Sequence, residues 1–182
     1  MSEEYFDVLD ENGNKTGKTK LRKEVHRDGD WHRAVHIWII DEKGEVLLQR
    51  RSANKDSHPN MLDISCAGHL SAGDTSMDGA KRELEEELNL KINDEDLEFI
   101  KTYKKPSSHR TSFINNEFCD LYVLRTNIPI EKMRYQEEEI SEIFYVPYNR
   151  FKEMVVNHDS ELLRHDVEFE ILFKLFDEKY GK

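Results

Sequence analysis

Between Thr75 and Asn89 the chain carries a helix-forming stretch whose two stripes sit uneasily side by side. At about 100° per residue, with Glu83 at zero, Glu86 and Glu87 fall near −60° and +40°, so three carboxylates share one face. Met77, Ala80, Leu84 and Leu88 fall between about 60° and 140° and make the buried stripe beside it. Glu85 points to solvent. Thr75 or Ser76 is the expected N-cap, with Asp78 placed to reach back if it is Thr75, and Asn89 suits a left-handed stop. Like charges at i,i+3 and i,i+4 oppose a helix by roughly 0.2–0.5 kcal/mol per pair, so this cluster beside a core is unfavourable without a cation. Hard Mg²⁺ prefers carboxylate oxygens and keeps coordination sites for water and phosphate, so the cluster reads as a metal platform. With 38 Asp and Glu in 182 residues, a solvated acidic face is the competing reading of the helix taken alone.

The flanking sequence alternates strand and loop signals. Tyr5 to Leu9 alternates apolar and polar residues before the tight-turn sequence Glu11-Asn12-Gly13-Asn14, which predicts a hairpin extension within about residues 1–30. Ala34 to Ile40 and Val46 to Gln49, separated by Asp41-Glu42-Lys43-Gly44, predict a second, central hairpin. Ser52 to Gly73 is rich in turn residues and predicts a long loop with a short strand near Ile64. Phe99 to Lys104, Glu117 to Leu124 and Ile143 to Val146 read as further strands. Phe169, Leu172, Phe173 and Phe176 recur at helical spacing in a closing helix at about 166–180. With no internal repeat, residues 1–182 are expected to form one α/β domain.

Charge and cysteine content narrow the function classes. A net charge of −11 opposes a nucleic acid polymer, and a phosphate-handling site in such a chain needs a cation or well placed Lys and Arg. The longest wholly apolar run, Ile37 to Ile40, is far short of the ~20 residues of a membrane helix. The first residues, Ser-Glu-Glu after Met1, are not a basic leader. Cys66 and Cys119 are the only cysteines and form no Cys-x-x-Cys pair. A cytoplasmic protein in a reducing compartment, free of membrane, is the expectation.

Counting back from the acidic helix adds a longer pattern. Gly68-His69-Leu70-Ser71-Ala72-Gly73-Asp74, then seven residues, then Arg82-Glu83-Leu84-Glu85-Glu86-Glu87-Leu88-Asn89-Leu90 resembles the 23-position Nudix box. That box reads Gly, five residues, Glu, seven residues, Arg-Glu-aliphatic-x-Glu-Glu-x-Gly-aliphatic. Gly68, Arg82, Glu83, Leu84, Glu86, Glu87 and Leu90 match. Asp74 stands where Glu is usual, keeping the charge on a shorter arm, and Asn89 where Gly is usual, keeping access to the left-handed conformation. The resemblance implies the Nudix fold, a mixed β-sheet sandwiched between helices (α/β/α). It carries Glu83, Glu86 and Glu87 over as ligands of Mg²⁺, with Mn²⁺ as the alternative, and Arg82 as the residue that orients them.

The flanks resemble one branch of that family. His26, His32, His36-Ile37-Trp38-Ile39, Leu47-Leu48-Gln49-Arg50-Arg51-Ser52, Lys55, Pro59, Cys66-Ala67-Gly68-His69 and Asn116-Glu117-Phe118-Cys119 are similar to isopentenyl-diphosphate-isomerase-like Nudix proteins. Isomerases of this branch use a Cys, a Glu and a metal held by several His and Glu side chains. His26, His32, His69 and Glu117 stand near that pattern, but Asn115 replaces an expected Glu. Ala67 occupies the position of the catalytic Cys, and Cys66, one place early, belongs to the opposite strand face. The histidines are left out of the metal set, because His-x5-His is not a compact ligand motif. His36 reads as a hydrogen-bonded strand residue, and both cysteines as small buried hydrophobes.

The chemistry expected is Mg²⁺-dependent hydrolysis of a diphosphate linkage in a nucleoside-diphosphate-X type small molecule. The water's proton goes to Glu86 or to Glu139, which lies in the acidic run Gln136 to Glu142 ahead of Ile143-Phe144-Tyr145-Val146-Pro147. Arg50, Arg51 and Lys55 are the expected substrate contacts, with Lys104, Lys105 and Arg110 as further basic residues near the site. An isopentenyl-diphosphate isomerase and a non-catalytic diphosphate-binding sensor remain as alternatives. The closing helix suits either a monomer or a homodimer.

Overall fold

The computed structural model describes residues 3–55, 57–107 and 113–181, and Arg110 lies outside them. In chain order these residues form β1 (Tyr5–Leu9), β2 (Lys15–Leu21), α1 (Arg22–Asp28), β3 (His32–Ile40), β4 (Glu45–Arg51), β5 (Leu62–Asp63) and β6 (Cys66–His69). There follow α2 (Ser76–Leu88), β7 (Leu97–Lys105), β8 (Glu117–Arg125), β9 (Ile140–Pro147), α3 (Tyr148–Val156) and α4 (Asp166–Tyr180).

β1 and β2 form the expected hairpin. Its turn is tied by Asp10 Oδ1, which accepts from the backbone N–H of Asn12 at 2.8 Å and of Asn14 at 2.9 Å. The main sheet runs β5-β4-β3-β8-β7, with β6 paired to β3 and β9 to β4. β3 and β8 are parallel over His32↔Glu117 to Ile40↔Arg125, and the other pairs are antiparallel, so the sheet is mixed.

The central hairpin differs from expectation. β3 and β4 meet at one register pair, Ile40↔Val46, and then diverge. Buried strands need partners for every backbone N–H and C=O, and here those partners come from elsewhere. β6 lies along β3 from Ala34↔His69 to Ile37↔Cys66, while β9 lies along β4 from Glu45↔Pro147 to Arg51↔Ile140. The sheet is therefore split, and β6 enters the split leading directly into the loop before α2. The strand expected near Ile64 is two short strands, β5 and β6, on either side of it.

Alternation along β3 divides the core into two layers. Val35, Ile37 and Ile39 pack with Cys66, Tyr122 and Leu124 beneath Ala80, Leu84 and Leu88 of α2. Trp38 and Ile40 pack with Leu48, Leu121 and Val123 beneath Phe151 of α3 and Phe169, Leu172 and Phe176 of α4. Helices on both faces of a mixed sheet make the α/β/α architecture expected. α3, which was not anticipated, buries Tyr148, Phe151, Met154 and Val155 at helical spacing. Among the described residues no helix is long and apolar enough to cross a membrane.

Candidate functional site

The site is built around the passage from β6 into α2. Thr75 caps α2: its hydroxyl accepts from the Asp78 N–H at 3.2 Å and donates to the Asp78 carboxylate at 2.6 Å. Asn89 ends the helix at φ +55°. The shorter Asp74 still orders the loop, its Oδ2 accepting from the Ser71 N–H at 3.1 Å.

Arg82 gathers the pieces. Its Nη1 donates to Glu83 at 2.8 Å and to Glu86 at 3.1 Å, and its Nη2 donates to the His69 carbonyl at 2.8 Å and to Asp74 at 3.4 Å. Glu83 turns inward over Gly68, where a Cβ would fall within its carboxyl group. Glu87 accepts from the Ala67 N–H at 3.4 Å. Burial pushes Glu83 up to about 7, with Arg82 opposing and Glu86 adding to the rise. Burial and the neighbouring Glu83 charge push Glu87 up to about 8. Glu86 is exposed and faces solvent, as does Glu85. Two carboxylates of the acidic helix, Glu83 and Glu87, are therefore desolvated at the end of β6, and Arg82 ties the exposed Glu86 to Glu83. The all-oxygen donor set of Glu83, Glu86 and Glu87 suits a hard divalent cation, and the glycine at 68 leaves the Glu83 carboxyl its place.

The other residues expected at the site divide. Lys55 forms an ion pair with Glu139, and the Ser52 N–H donates to the Glu139 carbonyl at 2.9 Å, which joins the 52–55 turn to the segment before β9. Lys55 stands close enough to Glu87 for its charge to favour that carboxylate. Arg51 spends its guanidinium internally, on Asp63 at 2.9 Å and on the Ser57 carbonyl at 3.2 and 2.9 Å. Arg50 is engaged with the Asn60 carbonyl at 2.9 Å, Glu161 at 3.1 Å and Glu142 at 3.5 Å. Lys104 lies over the Trp31 ring at 4.4 Å, and Lys105 lies 3.4 Å from Glu117.

A second cluster, left out of the metal set on spacing alone, assembles on the other face of β6. Ring nitrogens of His26, His32 and His69 lie within 4.8 Å of one another, and Phe6 stacks on His32 and His69 at 5.3 and 5.0 Å. Burial holds His26 and His32 at about 4, hence neutral at pH 7, and His32 Nε2 is buried with no hydrogen-bond partner among the described residues. His69 Nε2 lies 3.1 Å from Glu117, and His26 Nε2 lies 3.1 Å from Asn115 Oδ1. Burial alone would raise Glu117, but His69 and the Lys105 ammonium outweigh it and hold the carboxyl well below its usual range. The trio comes from α1, β3 and β6, so no local spacing could reveal it. The usable signal is that His32, His69 and Glu117 fall on one sheet face once β6 and β8 flank β3.

His36 is buried and hydrogen-bonded, and both cysteines are buried, as the sequence reading has them. Cys66 packs in the α2 layer, whereas Ala67 packs against the α3 and α4 layer, so the one-residue offset does separate them by a face.

Comparison with known proteins places this geometry. A family model described as NUDIX domain matches residues 30–166. "Nudix hydrolase 3" of Arabidopsis thaliana is 48% identical over 97% of this chain, which spans 23% of that protein's length. An uncharacterized Nudix hydrolase of Clostridium acetobutylicum is 37% identical over 77% of this chain and 68% of its own length. At lower identity, an isopentenyl-diphosphate Δ-isomerase of Cutibacterium acnes matches at 27% over 79% of this chain and 74% of its length. A crystal structure from Deinococcus radiodurans superposes with a TM-score of 0.71 at 22% identity, covering 95% of this chain and 99% of that one.

Proposed function

This chain belongs to the NUDIX family, and on that premise we propose that it hydrolyses a diphosphate linkage in a nucleoside-diphosphate-X type small molecule with Mg²⁺, or alternatively Mn²⁺, as cofactor. The observation that carries this reading is the placement of Glu83 over Gly68 and of Glu87 at the Ala67 N–H, with Arg82 tying Glu83 to Glu86. The three glutamates are the residues that would hold the cation. Bound there, it would supply neutralisation of phosphate charge and a lowered pKa for the attacking water.

The remaining work falls to side chains. Arg82 fixes Glu83 and Glu86 and anchors both to the His69 carbonyl, so the carboxylates are preorganised. Lys55 exchanges its Glu139 partner for a substrate phosphate oxygen, which frees the Glu139 carboxylate to accept the water's proton. Glu86, exposed on the platform, is the alternative base. Of the three basic residues assigned to substrate, Lys55 is the direct contact. Arg51 shapes the loop that presents it, and Arg50 braces the same segment through Asn60. We read residues 1–182 as one domain that acts on a small molecule in the cytoplasm, as monomer or homodimer, its net charge of −11 opposing a nucleic acid polymer.

A second reading is favoured by one observation, the assembly of His26, His32 and His69 beside Glu117, which suits isomerisation of isopentenyl diphosphate. Ala67 on that face argues against it, because the thiol of Cys66 is on the other. The test is a turnover screen with Mg²⁺ across nucleotide, nucleotide-sugar, coenzyme and isopentenyl diphosphates, with mass-spectrometric detection and the Glu87→Gln variant alongside. Phosphoanhydride cleavage lost in the variant supports the hydrolase. Isomerised product without cleavage overturns it.

A further inference from the structure

A buried polar network separate from the carboxylate platform and the histidine trio starts in the first turn of α4. Glu168 is fully buried there. Its Oε1 accepts from His36 Nδ1 at 2.5 Å and from the Tyr103 hydroxyl, and its Oε2 accepts from Trp38 Nε1 at 2.6 Å. His165, one turn earlier, lies with Nδ1 3.6 Å from the same carboxylate, and its Nε2 donates to Asp63 Oδ1 at 2.8 Å. Asp63 Oδ2 accepts from Arg51 Nη1 at 2.9 Å, and the other arm of Arg51 holds the Ser57 carbonyl. Carboxylate, imidazole, carboxylate and guanidinium thus follow one another from α4 to the loop that carries Lys55.

Attachment of α4 does not require this network. Phe169, Leu172 and Phe176 already bury α4 on the sheet, and an apolar replacement of a buried ion network is often neutral or stabilising. Each desolvated charge costs several kcal/mol and in return fixes direction. The direction fixed here is that of Arg51. Burial would lower the pKa of His165, but its hydrogen bond to Asp63 and the Glu168 charge 3.6 Å away raise it to about 9, so the imidazole is cationic at neutral pH and stands between two carboxylates.

We propose that Glu168 and His165 are positioning residues for substrate binding: acting through Asp63, they lock the Arg51 guanidinium and with it the loop that presents Lys55 to the diphosphate. This rests on the assignment of Lys55 as the phosphate contact. It makes α4, whose Glu168 lies beyond the matched span ending at residue 166, a contributor to the site from outside that span.

The experiment measures inorganic pyrophosphate affinity by calorimetry with Mg²⁺ present, and kcat and KM on the substrate found in the turnover screen. The full-length proteins are wild type, His165→Gln, Glu168→Gln, Glu168→Asp, Arg51→Lys, the His165→Gln/Arg51→Lys double variant and Lys55→Ala. Loss of one charged hydrogen bond in the chain corresponds to about a tenfold effect. The expected result is about tenfold weaker pyrophosphate binding and a similar rise in KM for Glu168→Gln and His165→Gln, with kcat changed less than about twofold, partial rescue by Glu168→Asp, and no added loss in the double variant. His165→Gln leaves the Glu168 bonds to His36, Trp38 and Tyr103 in place, so it keeps the test open where Glu168→Gln does not fold. Folded His165→Gln with unchanged affinity and KM, while Lys55→Ala is impaired, overturns the positioning role alone. Lys55→Ala with wild-type pyrophosphate affinity overturns the phosphate-contact assignment, and the positioning role with it.

Discussion

Replacing Gly68 by alanine probes the platform at its tightest point. A Cβ at this position would fall inside the Glu83 carboxyl group, and that group has little freedom to retreat. Arg82 Nη1 holds it at 2.8 Å, and Glu83 is 8% exposed. Restoring an ordinary carbon contact of about 3.5 Å displaces the carboxyl by more than about 1 Å. Misplacing a group at the reacting centre by that much costs on the order of a hundredfold in rate. A small-to-large change in a packed position destabilises by roughly 1–3 kcal/mol, which for a domain of this size lowers Tm by about 2–12 °C. The assay is kcat at saturating Mg²⁺, at a temperature well below the variant's own Tm, so that lost rate is not lost fold. The expected outcome is a folded protein with kcat down about a hundredfold. A variant that turns over within about twofold of wild type would refute the reasoning, because Glu83 could then move by 1 Å without consequence.

Three further outcomes follow from burial and charge. Because Glu83 and Glu87 are raised to about 7 and about 8 in the fold from an ordinary 4.5, the metal-free protein should lose stability as pH rises from 4.5 through those values. Mg²⁺ at a hundred times its Kd should then restore about 2.7 kcal/mol, roughly 5–10 °C in Tm near pH 8.5, and almost nothing near pH 5.5, where protons hold both carboxyls; equal shifts in thermal melts at both pH values would place the cation elsewhere. His165, raised to about 9, should contribute up to about 3 kcal/mol that is complete below pH 6.5 and lost as pH rises through 9; a His165→Gln variant whose alkaline stability curve parallels wild type would contradict this. Leu84→Ala removes a fully buried side chain from the α2 layer and should cost about 2–5 kcal/mol in urea unfolding, and a loss under 1 kcal/mol would mean that the layer collapses to fill the gap.

The parts of the fold legible in the sequence are those whose chemistry is local. Thr75 and Asn89 bound α2 because a hydroxyl cap and a left-handed stop act within a few residues, and β7, β8 and β9 announce themselves by composition. The opening of the central hairpin is of another kind. A turn of Asp41 to Gly44 between two apolar runs gives no sign that β6, starting at Cys66, and β9, starting at Ile140, will stand between β3 and β4 and take the backbone partners each would have offered the other. α3 was missed although Tyr148, Phe151 and Val155 have helical spacing, because the preceding strand passes into it without a capping side chain.

The site divides along the same line, and β6 shows why. The acidic platform is legible because Gly68, Asp74, Arg82 and the glutamates lie on one continuous loop and helix, so their spacing in sequence is their spacing in space. The histidine trio is not, because its members meet through strand register. Successive residues of β6 serve the two clusters in turn: Gly68 lies beneath Glu83 on the α2 side, while His69 faces His32 and Glu117 on the other. Cys66 and Ala67 follow the same alternation. A one-residue difference in where the thiol stands is therefore a difference in which cluster it can serve. In this chain it stands in the α2 layer, desolvated and with its acidity suppressed by burial and by Glu87. The histidine face thus has alanine at the position of that branch's thiol, and the Cys119 thiol it does hold comes from β8 and is hydrogen-bonded to Glu117, while the acidic helix keeps all three carboxylates. That asymmetry across four residues is the physical reason we propose hydrolysis rather than isomerisation.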